Sequence, residues 1–116
     1  MQILILEDQT TRIKFFIEQF CDHDVTVTEN AYSAIDYLED NLYDCIFLDN
    51  DLGDGNGSGL LVAGYLSKHQ TNPNNYAKIF IHSWNMPAAY QMKGVLHNAT
   101  VLPFSQQEYA CLSLDK

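Results

Sequence analysis

Three short apolar runs, each ending abruptly in polar residues, constrain this chain more than any other feature. Residues 2–6 (QILIL) give way to Glu7 and Asp8, residues 45–48 (CIFL) to Asp49, Asn50 and Asp51, and residues 79–81 (IFI) to His82 and Ser83. A short apolar run without alternation suits a strand covered on both faces, as in a parallel sheet. Two further segments read as strands: 25–28 (VTVT), alternating and β-branched like an edge strand, and 99–102 (ATVL), closed by Pro103.

Helical spacing fills the intervals. Ile13, Phe16, Ile17 and Phe20 predict an amphipathic helix over 10–20, with that set as its buried stripe. Ala31, Ala34, Ile35 and Leu38 predict a second, with Asn30 as its N-cap. Leu60, Leu61, Ala63, Gly64 and Leu66 predict a third, residues 87–96 a fourth with Pro87 in its first turn, and 105–112 a short last one. Residues 53–59 (GDGNGSG) hold four of the six glycines and must form a loop, either a lid beside the strand ends or a plain turn; 70–75 (QTNPNN) form a second long connection. Five strands alternating with helices predict an α/β fold: a doubly wound, five-stranded parallel sheet with helices on both faces, in a single domain over residues 1–116.

Composition removes several classes of function. Fifteen acidic against six basic residues leave a formal charge of −9, which disfavours duplex nucleic acid, since that contact needs Lys and Arg on phosphates. A 47% apolar content with fourteen aromatic residues supports a real core and argues against disorder. No run is long enough to span a membrane, and the N-terminus lacks the pattern of a signal peptide, so a cytoplasmic location is expected. Cys21, Cys45 and Cys111 lack any CxxC spacing and read as reduced thiols, two of them filling the core.

In an open parallel sheet, ligands bind beyond the carboxyl ends of the strands. The first strand would deliver Glu7 and Asp8 there, the third Asp49 and Asp51, and the fourth His82, Ser83 and Asn85. Like charges so placed repel and raise one another's pKa. No Lys or Arg lies in these loops, so a divalent cation held by oxygen ligands, Mg²⁺ or Mn²⁺, is the expected relief, with Glu7, Asp8, Asp49 and Asp51 as metal ligands.

At these positions the chain resembles the receiver domains of response regulators, whose sheet order is 2-1-3-4-5. The resemblance implies that Glu7 and Asp8 are the acidic pair and Asp49 the phosphoacceptor. Asp51 then falls where a backbone carbonyl contacts the metal, and Ser83 supplies the hydroxyl after the fourth strand. The chain departs from the family at the fifth strand, where Leu102 stands before Pro103 and Phe104 in place of the Lys that pairs with the phosphoryl group. More narrowly, Asp49-Asn50-Asp51-Leu52-Gly53 and His82-Ser83-Trp84-Asn85 resemble the cyclic-phosphate-processing receiver group, with Asn50 where a His is expected.

That likeness implies a metal-dependent site that binds or cleaves a small phosphate ester, cyclic ones included. His82 would be general acid or base, Ser83 and Asn85 would donate to phosphoryl oxygens, and Asp49 or an activated water would be the nucleophile. Two alternatives stay open: a phosphorelay receiver phosphorylated on Asp49 by a phosphodonor, and a non-catalytic interaction module. In each, a downstream signal would pass to a separate protein partner.

Other motifs lead nowhere. Residues 54–59 imitate the first half of an EF-hand loop, but Tyr65 stands where the bidentate Glu should be. No phosphate-binding GxGxxG or P-loop can be drawn through the glycines. His69 and His97 lie near helix C-termini, where imidazoles complement the dipole. Trp84 is read as packing against the strand end or stacking over a ligand.

Overall fold

A computed structural model describes residues 1–114. Five parallel strands, β1 (Gln2–Leu6), β2 (Asp24–Thr28), β3 (Cys45–Leu48), β4 (Lys78–Ile81) and β5 (Thr100–Val101), form one sheet in the order β2-β1-β3-β4-β5. The helices are α1 (Thr10–Gln19), α2 (Ala31–Asp40), α3 (Gly59–Lys68), α4 (Met86–Val95) and the short α5 (Gln106–Ala110). The expected doubly wound topology and strand order are present, with β2 as the edge strand. A 3₁₀ turn over Pro73–Tyr76 lies in the second long connection, where the sequence pattern predicts no element.

Successive side chains in a strand point to opposite faces, and this divides the core in two. Leu4, Leu6, Ile46, Leu48, Ile79 and Ile81 face α2, α3 and α4. Ile3, Ile5, Cys45, Phe47 and Phe80 face Phe16 and Phe20 at α1 and Tyr109 of α5. Each wholly buried Leu, Ile or Phe contributes about 1.5–3 kcal/mol of transfer free energy, enough to hold strands that are only two to five residues long.

The stripe on α1 differs from expectation. Its buried helical positions are Arg12 and Phe16, with Phe20 continuing the row at the C-cap, while Ile17 is 48% exposed. Positions i, i+4 and i+8 share a face, so Arg12 lies in line with two phenylalanines and is carried over the sheet with them. The cysteine expectation also needs correcting: Cys45 is buried, but Cys21 and Cys111 are both exposed. Asn30 caps α2 as expected, its side-chain oxygen accepting from the N–H groups of Tyr32 and Ser33.

The glycine loop is tied down. Ala31 N–H donates to the Asn56 carbonyl, and Asn56 Nδ2 donates to the Leu52 carbonyl at 2.8 Å. Asp51 and Ser58 form an isolated antiparallel bridge that closes the loop's neck. Gly59 is required by close approach: a Cβ there would lie 2.0 Å from the Asp49 carbonyl oxygen. This contact seats the start of α3 directly on the end of β3. No described helix is long and apolar enough to cross a membrane.

Candidate functional site

Register places the site. Leu6, Leu48 and Ile81 are paired across β1, β3 and β4, so Glu7, Asp49 and His82 are the next residues of the same row. The ladder continues through them, with Asp49 N–H donating to the Leu6 carbonyl and His82 N–H to the Leu48 carbonyl. Because Leu6, Leu48 and Ile81 face α2–α4, the alternation turns Glu7, Asp49 and His82 toward α1. One ligating atom from each of the three lies within 4.8 Å of the others, and all three residues are buried.

Glu7 is the hub. Its Oε2 accepts from the backbone N–H groups of Asp8 and Gln9 at 2.9 and 3.0 Å. Its Oε1 lies 2.9 Å from His82 Nε2 and 3.5 Å from Arg12 Nη1. Burial alone would raise the Glu7 pKa, but the hydrogen bond and charge of His82, with help from Gln9 N–H and Arg12, bring it down to about 2. The His82 ring packs edge-on against Phe16, with ring centroids 5.3 Å apart, and its buried Nδ1 has no partner among the described residues.

Asp49 is 4% exposed and accepts from Asn50 N–H at 2.8 Å. Burial pushes its carboxyl up, the His82 charge offsets part of this, and the neighbouring Glu7 carboxylate adds to it, giving a pKa of about 6. Asp8 is raised as well, by burial first and then by Glu7. The Glu7 carboxylate therefore presses on Asp49 on one side and on Asp8 on the other.

Asp51 does not join them. Its carboxylate is exposed and accepts from Asn50 Nδ2 at 3.0 Å and from Asn85 Nδ2 at 3.3 Å. Of the four carboxylates expected in one nest, Glu7 and Asp49 bring ligating atoms within 4.8 Å of each other, Asp8 adjoins Glu7, and Asp51 stands on the rim. Asn85 Oδ1 caps α4 by accepting from Ala88 N–H, so its amide is shared between the cap and Asp51. Ser83 is buried, and its Oγ accepts from Asn85 N–H at 3.0 Å, leaving the hydroxyl proton to donate.

A cation is present where none was expected. Arg12 Nη1 lies 3.8 Å from Asp49 Oδ2 as well as 3.5 Å from Glu7. The guanidinium comes not from a strand-end loop but from α1, and its i, i+4, i+8 phase with Phe16 and Phe20 was the legible signal. It sits 4.3 Å from the centroid of the Trp84 ring and 5.0 Å from that of Phe104. Trp84, 64% exposed, donates its indole N–H to the Phe104 carbonyl at 2.9 Å. Leu102, next in the row after His82, packs into the apolar cluster beside Phe104 and brings no charge to the site.

Against protein families, the model described as the cyclic-phosphate processing receiver domain matches residues 2–98. The chain belongs to that family. Its fold is that of a response-regulator receiver domain. Among solved structures it is similar to the phosphorylated cyanobacterial phytochrome response regulator RcpA, with 18% identity and a TM-score of 0.74 over 94% of this chain and 85% of that one. It is also similar to the response regulator TrrA of Thermotoga maritima, crystallised in complex with Mg²⁺ and BeF, with 22% identity and a TM-score of 0.70 over 92% and 90% of the two chains. The Mn²⁺-bound form of the response regulator Rcp1 is similar at 18% identity and a TM-score of 0.66, over 94% and 86%. No curated protein matches the sequence.

Proposed function

We propose that this receiver domain binds a phosphate ester together with a divalent cation at the carboxyl end of β1 and β3, and opens cyclic phosphates there. The observation that carries this reading is the register row in which Glu7, Asp49 and His82 bring ligating atoms within 4.8 Å. The donor set fits a hard dication. Against Glu7 and Asp49, with Asp8 beside Glu7, stands one guanidinium at 3.5 and 3.8 Å, a distance that leaves the negative charge undercompensated. Asp8 and Asp49 would hold the ion, with Glu7 behind them, and Mg²⁺ or Mn²⁺ would there neutralise charge on the phosphoryl oxygens.

The chain's own residues divide the remaining work. Water adds to phosphorus, one ring P–O bond breaks, and the alkoxide so formed takes a proton, consuming one water overall. Asp49 would take the proton from that water as the general base. Ser83 donates its hydroxyl to a phosphoryl oxygen, and Asn85 steadies the rim through Asp51. His82 is wholly buried and acts through Glu7, holding that carboxylate in one orientation.

The test is turnover of 2′,3′- and 3′,5′-cyclic nucleotides with Mg²⁺ or Mn²⁺. We expect hydrolysis that Asp49→Asn abolishes. Absence of turnover in the folded, metal-loaded protein would remove the hydrolytic reading.

A second reading is phosphorylation of Asp49, in which the carboxylate attacks the phosphorus of a small phosphodonor and forms an acyl phosphate. Similarity to a phosphorylated response regulator and to a BeF complex favours it. Leu102 disfavours it, since no described fifth-strand cation is available to the phosphoryl group. Incubation with acetyl phosphate and Mg²⁺ separates the two: the second reading requires a hydroxylamine-sensitive phosphate on Asp49.

A further inference from the structure

Arg12 is 5% exposed at the edge of the site, and its surroundings are unusual for a buried cation. A guanidinium carries five N–H donors in a planar fork and stays charged. Among the described residues only Nη1 meets acceptors, at 3.5 Å from Glu7 and 3.8 Å from Asp49. A tight charge-assisted bond would be about 2.8 Å. Nε and Nη2 donate to no described residue. Both are open to solvent, since the one closed-off, unpartnered side-chain nitrogen or oxygen among the described residues is His82 Nδ1.

Aromatic rings fix the guanidinium where its counter-ions do not. Trp84 lies at 4.3 Å and Phe104 at 5.0 Å, and Trp84 is itself pinned by its N–H bond to the Phe104 carbonyl. The fork is thereby held beside Asp49 with most of its donors uncommitted. On the same row of the sheet, Leu102 supplies only apolar surface.

We infer that Arg12 is the phosphate-binding cation of this site, its fork taking two non-bridging oxygens of the phosphoryl group while Trp84 clamps the guanidinium in place. This rests on the phosphate reading given above. A cyclic phosphodiester presents two non-bridging oxygens on one phosphorus, which matches a bidentate fork; a phosphomonoester would also bind. Lys at the same place would keep the charge but not the paired geometry.

Because Trp84 is the only tryptophan, its fluorescence reports directly on the guanidinium it covers. The experiment is a titration of the Mn²⁺-saturated protein with inorganic phosphate, read by Trp84 fluorescence and by calorimetry, for the wild type, Arg12→Lys and Arg12→Gln. The wild type should show a saturable fluorescence change, with affinity about tenfold weaker in Arg12→Lys and weaker still in Arg12→Gln. Mn²⁺ affinity should stay within about threefold of the wild type in both variants, because the guanidinium is not a ligand of the ion. If Arg12→Gln does not fold, Arg12→Lys decides. Undiminished phosphate affinity in a folded variant that still binds Mn²⁺ would overturn the Arg12 assignment alone. A wild type that binds no Mn²⁺, or binds Mn²⁺ but no phosphate, would overturn the proposed site and this assignment with it.

Discussion

Glu7 Oε1 and His82 Nε2 stand 2.9 Å apart, both side chains fully buried, and their bond joins the ends of β1 and β4 across the end of β3. The pair forms a bridge beside Asp49. Removing one side of a buried polar pair strands the other without water or a partner. Glu7→Ala should therefore cost about 3 kcal/mol or more in urea unfolding, through the stranded His82 and the weakened hold on Arg12. A loss below about 1 kcal/mol would mean that the bridge contributes little.

Asp49 gives stability a characteristic pH dependence in metal-free buffer. Its carboxyl rises from 3.8 to about 6 on folding, so the native chain keeps a proton that the unfolded chain releases. Stability then falls as pH climbs through that interval. Glu7 moves from 4.5 down to about 2, the opposite sense, and stability is gained as pH rises between those values. With each pH unit between the folded and unfolded values worth about 1.4 kcal/mol, Asp49→Asn should be more stable than wild type at pH 7 by up to about 3 kcal/mol. The difference should vanish near pH 4. Equal stability of the two proteins at pH 7 in chelator would contradict this electrostatic origin.

Two glycines of α3 should respond in opposite directions. Gly59→Ala would drive a methyl to 2.0 Å from the Asp49 carbonyl oxygen and should destabilise the fold by about 3 kcal/mol or more, displacing the end of β3. Gly64 has open space around its Cβ position, and Gly64→Ala should stabilise by about 1 kcal/mol through helix propensity. Thermal unfolding of both variants checks the pair. A mild Gly59→Ala would show that α3 can draw back from the site.

Much of this molecule is legible in its sequence. The apolar runs ending at Glu7, Asp49 and His82 mark both the parallel sheet and the edge that carries the candidate site, because burial on two faces leaves a strand few polar residues until it emerges. Asn30 is legible as a cap because its side chain acts on the backbone next to it. What escapes is set by tertiary phase. A charged residue next to Ile13 looks solvent-facing, yet the packing of Phe16 and Phe20 rotates α1 so that Arg12 goes inward and Ile17 outward. Asp51 groups with the other carboxylates by closeness in sequence. The bridge between Asp51 and Ser58 holds it at the rim instead, where its carboxylate accepts from Asn85 Nδ2.

The most direct measurement is a calorimetric titration of Mn²⁺ into the chelator-stripped protein and three variants. The wild type should take up one ion per chain, with affinity at least about tenfold weaker for Asp8→Asn and Asp49→Asn. Asp51→Asn, in which the carboxylate facing Asn85 is lost, should bind within about threefold of wild type. A wild type that takes up no ion, or an Asp49→Asn variant that binds Mn²⁺ as tightly as the wild type, would contradict a metal site built on these carboxylates.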